Sequence, residues 1–115
     1  MNELIETILA DFTVENVKIP VSFMYYEGHG EPYVTYMQED ADNSFSGDDE
    51  LLGYVMYYDF DVYSTGDITA IIESLKSILK ANGFVWQVSR SSQDMYETET
   101  KYYHRTLNFA IYKEE

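Results

Sequence analysis

Two histidines and a large excess of carboxylates are the side chains in this sequence with the means for chemistry. His29 sits in the glycine-rich run Glu27-Gly28-His29-Gly30-Glu31-Pro32, and His104 lies in an aromatic segment near the carboxy terminus. Neither is bracketed by a nucleophile elbow, a phosphate loop, an HExxH pair or a paired-carboxylate motif, the settings in which histidine acts as base or ligand. A lone histidine is ordinarily a surface or hydrogen-bonded residue, so these residues predict no catalysis. The chain has no cysteine, which removes thiolate nucleophiles, cysteine zinc sites and a disulfide framework.

The carboxylates offer metal binding as the other chemistry. Asp40, Asp42 and Ser44 alternate like the first ligands of a calcium loop, and Asp48, Asp49 and Glu50 follow. The match then breaks: position six is Phe45 where the loop needs glycine, position twelve is Leu51 where it needs a bidentate glutamate, and the flanks read as strands. No specific metal or cofactor site is expected, only weak divalent binding. Residues 39–50 hold six acids and no base, so they read as a long exposed loop. Twelve residues without structure are unusual in a compact domain and point to a binding role or to disorder. Its candidate contact residues are Glu39, Asp40, Asp42, Asp48, Asp49 and Glu50.

The elements around these residues follow from composition and periodicity. With 115 residues the chain can bury one core, and a single domain over 1–115 is expected. Hydrophobic residues make up 45% and aromatics 17%, with 12 Tyr, too many for a disordered acidic tail. Leu4, Ile5, Ile8 and Leu9 recur at helical spacing, predicting a short amphipathic helix over 2–10. Val21 to Tyr26 and Tyr33 to Gln38 read as strands joined in a hairpin across the glycine-rich turn. Tyr54 to Tyr63 alternates, placing Tyr54, Met56, Tyr58, Phe60 and Val62 on one face and Val55, Tyr57, Asp59, Asp61 and Tyr63 on a wetter one. Ile68, Ile71, Ile72, Leu75, Ile78 and Leu79 then form a helical stripe, opened by Ser64-Thr65-Gly66-Asp67 and closed by Asn82-Gly83. Phe84 to Ser89 predicts a strand with Phe84, Trp86 and Val88 on one side. Met95 to Thr100 is expected to pair with or extend it, and the last strand, Tyr102 to Tyr112, turns Leu107, Phe109 and Ile111 inward.

The order α-β-β-β-α-β-β predicts an α+β fold, a mainly antiparallel twisted sheet of about five strands with two helices on one face. The other face is rich in tyrosine, a residue common at interfaces because it joins contact area to a polar tip. Tyr57, Tyr63, Tyr102 and Arg105 are the candidate subunit-contact residues. Tyrosines that merely line a half-wet sheet surface are the plainer alternative.

Charge excludes several partners. Seven Lys+Arg against 21 Asp+Glu leave a net charge of -14, which repels phosphate and argues against nucleic-acid binding. The bases Lys18, Lys76, Lys80, Arg90, Lys101, Arg105 and Lys113 form no cluster interleaved with aromatics. No run approaches the apolar length of a membrane span, and the first ten residues lack the basic start of a signal peptide. A soluble, intracellular protein is expected.

From Asp61-Val62-Tyr63-Ser64 through the stripe Ile68, Ile71, Leu75 and Leu79 to Asn82-Gly83-Phe84, and again over Tyr102-Tyr103-His104-Arg105-Thr106-Leu107-Asn108-Phe109, the sequence resembles the tail-completion, or tail-terminator, proteins of long-tailed bacteriophages and prophages. About half of the chain carries the likeness. It implies a non-enzymatic virion protein that assembles with its own copies, commonly as a six-fold ring. Such a ring caps the tail tube and offers a surface for the head-joining protein. Its location would be the virion tail, and the host cytoplasm during assembly. An acidic lumen would suit a ring that DNA passes through, since carboxylates do not hold phosphate. The runner-up is a small acidic module that binds a basic protein partner as a nucleic-acid mimic or inhibitor.

Overall fold

The computed structural model describes the backbone of residues 2–25, 32–47, 50–99 and 101–114, and side chains within these except at 2, 40–47, 50–54, 113 and 114. Helix α1 (Asn2–Ile8) leads into a small hairpin of β1 (Thr13–Val14) and β2 (Val17–Lys18). Glu15 and Asn16 turn it with φ of 51° and 68°, the left-handed pair that matches strand twist in a two-residue hairpin. Neither residue is the glycine that usually marks such a turn, so this hairpin carries no local signal in the sequence.

The main sheet is built from β3 (Val21–Phe23), β4 (Tyr33–Gly47), β5 (Glu50–Ser64), β6 (Val85–Trp86), β7 (Met95–Glu97) and β8 (Tyr102–Glu114), in the order β3-β4-β5-β8-β6, with β7 further along β8. Helix α2 (Thr69–Ala81) joins β5 to β6. The fold is α+β with two helices and a mostly antiparallel sheet. It has eight strands in two sheets where about five were expected, and the simple α-β-β-β-α-β-β order gives way to the one above.

Three expectations are corrected. The pair expected as a hairpin is parallel, with Val21 opposite Val34 and Phe23 opposite Tyr36. Met24 takes a left-handed φ of 64° and the Tyr25 amide donates back to the Phe23 carbonyl at the end of β3. The acidic segment expected as a loop is strand over 39–47 and at 50, because β4 and β5 continue pairing as far as Gly47 opposite Glu50. Backbone ladder bonds do not require apolar side chains, and β8 supports β5 on its other edge as far as Gly53 opposite Glu114. Asp48, Asp49 and His29 lie outside the described residues. Finally, Val88 does not face inward with Trp86: residues 88–90 form a 3-10 turn and Val88 is exposed.

Helix α2 forms where its stripe predicts. The Asp67 carboxylate accepts from the Thr69 amide at 2.9 Å, and Gly83, at φ +92°, lets the Phe84 amide return to the Leu79 carbonyl at 3.0 Å. Its buried face is Ile71, Ile72, Leu75 and Leu79. These meet Ile5 and Leu9 from the α1 end and Phe12, Val14 and Ile19 from the small hairpin over Val34, Tyr36, Tyr58, Phe60, Val62, Leu107, Phe109 and Ile111. The sheet members of this core all share one face by register. Both helices therefore cover that face, and among the described residues no helix lies on the other.

Candidate functional site

The helix-free face is assembled by the registers of three long strands. Tyr33, Tyr63 and His104 stand in one row, Thr35, Asp61 and Thr106 in the next, and Met37, Asp59 and Asn108 in a third. Below them, β4 carries a bulge: Gln38 pairs with Tyr58 and Asp40 with Tyr57, so Glu39 is an extra residue opposite Tyr57. A bulge re-aims side chains where a regular strand would alternate them. Here it brings Glu39 to the same face as Asp59.

The upper rows form an aromatic and histidine cluster. The Tyr33 and Tyr63 rings stack at 4.6 Å, His104 stacks on Tyr63 at 4.2 Å, and Tyr102 meets Tyr33 edge-on at 5.4 Å. His104 Nε2 lies 3.0 Å from Asp61 Oδ1, and His104 Nδ1 lies 3.9 Å from Glu97 on β7. The Thr106 hydroxyl donates to the same Asp61 oxygen. This is not a nucleophile relay: Asp61 occupies the imidazole nitrogen that would have to take the threonine proton, and the hydroxyl already gives its hydrogen to the carboxylate. Burial pushes the Tyr63 hydroxyl far above the ordinary phenol range, helped by Asp61, Tyr33 and Glu97, and it raises Tyr33 in the same way. Both remain neutral phenols.

The lower rows hold a polar bridge. Asn108 is fully buried, and its side-chain nitrogen donates to Glu39 at 2.7 Å and to Asp59 at 2.9 Å. Burial raises the pKa of Asp59. The Asn108 hydrogen bond and Arg90 oppose that rise, while the charges of Glu39 and Asp61 add to it. Arg90, at the end of the 3-10 turn, reaches over the sheet edge. Its guanidinium lies 3.8 Å from the Tyr57 ring centre, and one terminal nitrogen donates to both Glu39 oxygens at 3.3 and 3.4 Å. Ser91 and Ser92 seat this turn on β8, since their hydroxyls accept from the Asn108 and Thr106 amides at 3.0 and 2.9 Å.

Of the residues singled out from sequence, Tyr57, Tyr63 and Tyr102 come together on this face, and Glu39 joins them through the bulge. Arg105 does not. It stands opposite Val62 on the helix-covered face, 3.7 Å from Asp94. Asp40, Asp42 and Glu50 lie on strand backbone with side chains outside the description, and Asp48 and Asp49 lie outside it altogether. Among the described residues no three histidine or carboxylate side chains gather as a metal site, and no helix is long and apolar enough to cross a membrane. Arg90, Thr106 and Asn108 are the members that sequence reasoning missed. The alternation over Tyr54 to Tyr63 marks Asp59 and Asp61 as the wet side, but their partners are distant in sequence and carry no local signal.

No protein-family model matches the chain, and a search of curated proteins finds no significant relative.

Proposed function

We propose that this chain is a non-enzymatic structural subunit of a bacteriophage or prophage tail. It joins copies of itself and the tail tube through sheet surfaces and hands the tail on to the head-joining protein. The observation that carries the reading is the β4–β5 hairpin. Its strands are 15 residues each, while the helix-covered core on them ends near Tyr36 and Met56. The remaining ribbon runs past any helix along a molecule 53 Å in its longest dimension. β8 stays paired with β5 as far as Gly53 opposite Glu114, so this extension is three-stranded until its tip, where Ser46 and Gly47 pair with Leu51 and Glu50 alone. An acidic sheet extension with no described helix on it is a feature of contact with other molecules more than of stability. Carboxylates on such an arm suit a surface past which DNA slides.

The likeness in the second half of the sequence supplies the tail assignment, and the helix-free face supplies a second contact surface. A heterologous contact between arm and face closes into a ring where the rotation allows. Charge opposes that closure at -14 per copy, so assembly is favoured by salt or by docking on the tube. The test is removal of residues 41–49. The shortened chain is expected to keep its circular dichroism and melting transition and to lose co-sedimentation with purified tail-tube protein. Loss of the fold, or unchanged binding, overturns the role of the arm.

A further inference from the structure

Beside the end of α1, the helix-covered side of the sheet keeps a cleft of about 440 Å³. Leu9, Ile19 and Val21 supply apolar lining, Glu6 and Lys18 line it with opposite charges, and Tyr36 reaches it from β4. Tyr36 is only 1% exposed, and its hydroxyl is buried with no hydrogen-bond partner. Buried polar groups are almost always paired, and an orphaned one is costly. Burial raises the pKa of this hydroxyl, and the Glu6 charge adds to the rise. It therefore remains a neutral donor, close enough to Glu6 to feel a charge that lines the same cleft.

The surroundings define what would satisfy that donor. Phe23 packs on the Tyr36 ring at 5.5 Å and Phe60 stacks with it at 6.0 Å, so the hydroxyl cannot swing out to solvent without breaking both contacts. The cleft is of the size that ordinarily takes a small molecule, and an apolar lining with one fixed polar group is the usual make-up of such a site. Glu6 and Lys18 together favour neither sign of charge, and the net charge of -14 opposes anions. We propose that this cleft binds a small, uncharged, mainly apolar molecule carrying one oxygen acceptor, which takes the hydrogen of the Tyr36 hydroxyl. The inference concerns a different surface from the arm and the helix-free face, and it stands independently of the tail reading.

Benzyl alcohol is the probe, and toluene is its counterpart without the oxygen. Titration of the full chain, followed by proton–nitrogen correlation NMR, is expected to show saturable binding of the alcohol with the largest shifts at Leu9, Ile19, Val21 and Tyr36. Tyr36→Phe deletes the orphaned hydroxyl and is expected to weaken the alcohol about threefold or more while leaving toluene unchanged. The free variant is expected to melt at the same temperature or higher, because an unsatisfied polar atom has gone. A tyrosine with a purely structural hydroxyl would lower it. Benzoate and benzylammonium are expected to bind less well than the alcohol. Absence of saturable binding, shifts centred elsewhere, an alcohol affinity that Tyr36→Phe leaves unchanged or lowers no more than that of toluene, a charged analogue binding as tightly as the alcohol, or a lower melting temperature of the variant would overturn the proposal.

Discussion

Asn108 donates to Asp59 across β8 and β5 at 2.9 Å, and the same nitrogen reaches the bulged Glu39 of β4 at 2.7 Å. One buried amide therefore ties three strands and holds two carboxylates side by side on the helix-free face. Such a bridge also specifies register, since a one-residue slip would send Asn108 to the apolar face and leave both acids without their donor.

Replacing Asn108 with Ala or Leu removes the donors shared by Glu39 and Asp59. Leaving the partly buried Asp59 carboxylate without its donor is expected to reduce stability by about 1–3 kcal/mol. Urea unfolding followed by circular dichroism should show a lower midpoint with an unchanged slope.

Asp59 gives the fold a pH signature. Its raised pKa, caused first by burial, means that the folded state binds this proton more tightly than the unfolded chain. Its contribution is fully present below the unfolded value near 3.8 and is lost as pH rises through the folded value. Asp59→Asn keeps an oxygen for Asn108 and never ionises. The variant is expected to melt a few degrees higher at neutral pH and to lose that advantage as pH falls toward the unfolded value.

Leu75 is fully buried at the centre of α2, and truncation to Ala leaves a cavity between helix and sheet. The expected loss is about 2–5 kcal/mol. Val85 is 60% exposed, so Val85→Ala should stay within about 0.5 kcal/mol. The contrast distinguishes the helix-covered core from the outer edge of the sheet.

Gly83 closes α2 at φ +92° with nothing within 4 Å of where a Cβ would stand. Gly83→Ala therefore meets no steric obstacle, only the left-handed backbone penalty of about 1–2 kcal/mol. Thermal melts should show a moderate drop with unchanged helix content.

The parts of the fold visible in the sequence are those in which a local period coincides with the buried face. Tyr58, Phe60 and Val62, the α2 stripe, and Leu107, Phe109 and Ile111 all fall where alternation or helical spacing places them. Strand direction was not visible: both parallel and antiparallel neighbours repeat every two residues, so Val21–Phe23 beside Val34–Tyr36 reads the same either way. The acidic ribbon was hidden because its ladder is made by backbone groups, and side-chain polarity says little about those. At the candidate site, the bulge at Glu39, the reach of Arg90 and the Asn108 bridge depend on pairings many residues apart. None leaves a trace in a local window.

The proposal that the chain is an assembly subunit is tested by native mass spectrometry across ammonium acetate concentrations, with and without a purified phage tail-tube protein. The expected result is a discrete closed oligomer, six-fold by the tail-completion likeness, that gains population with ionic strength or on the tube. A species that stays monomeric at every salt concentration and ignores the tube protein would contradict it.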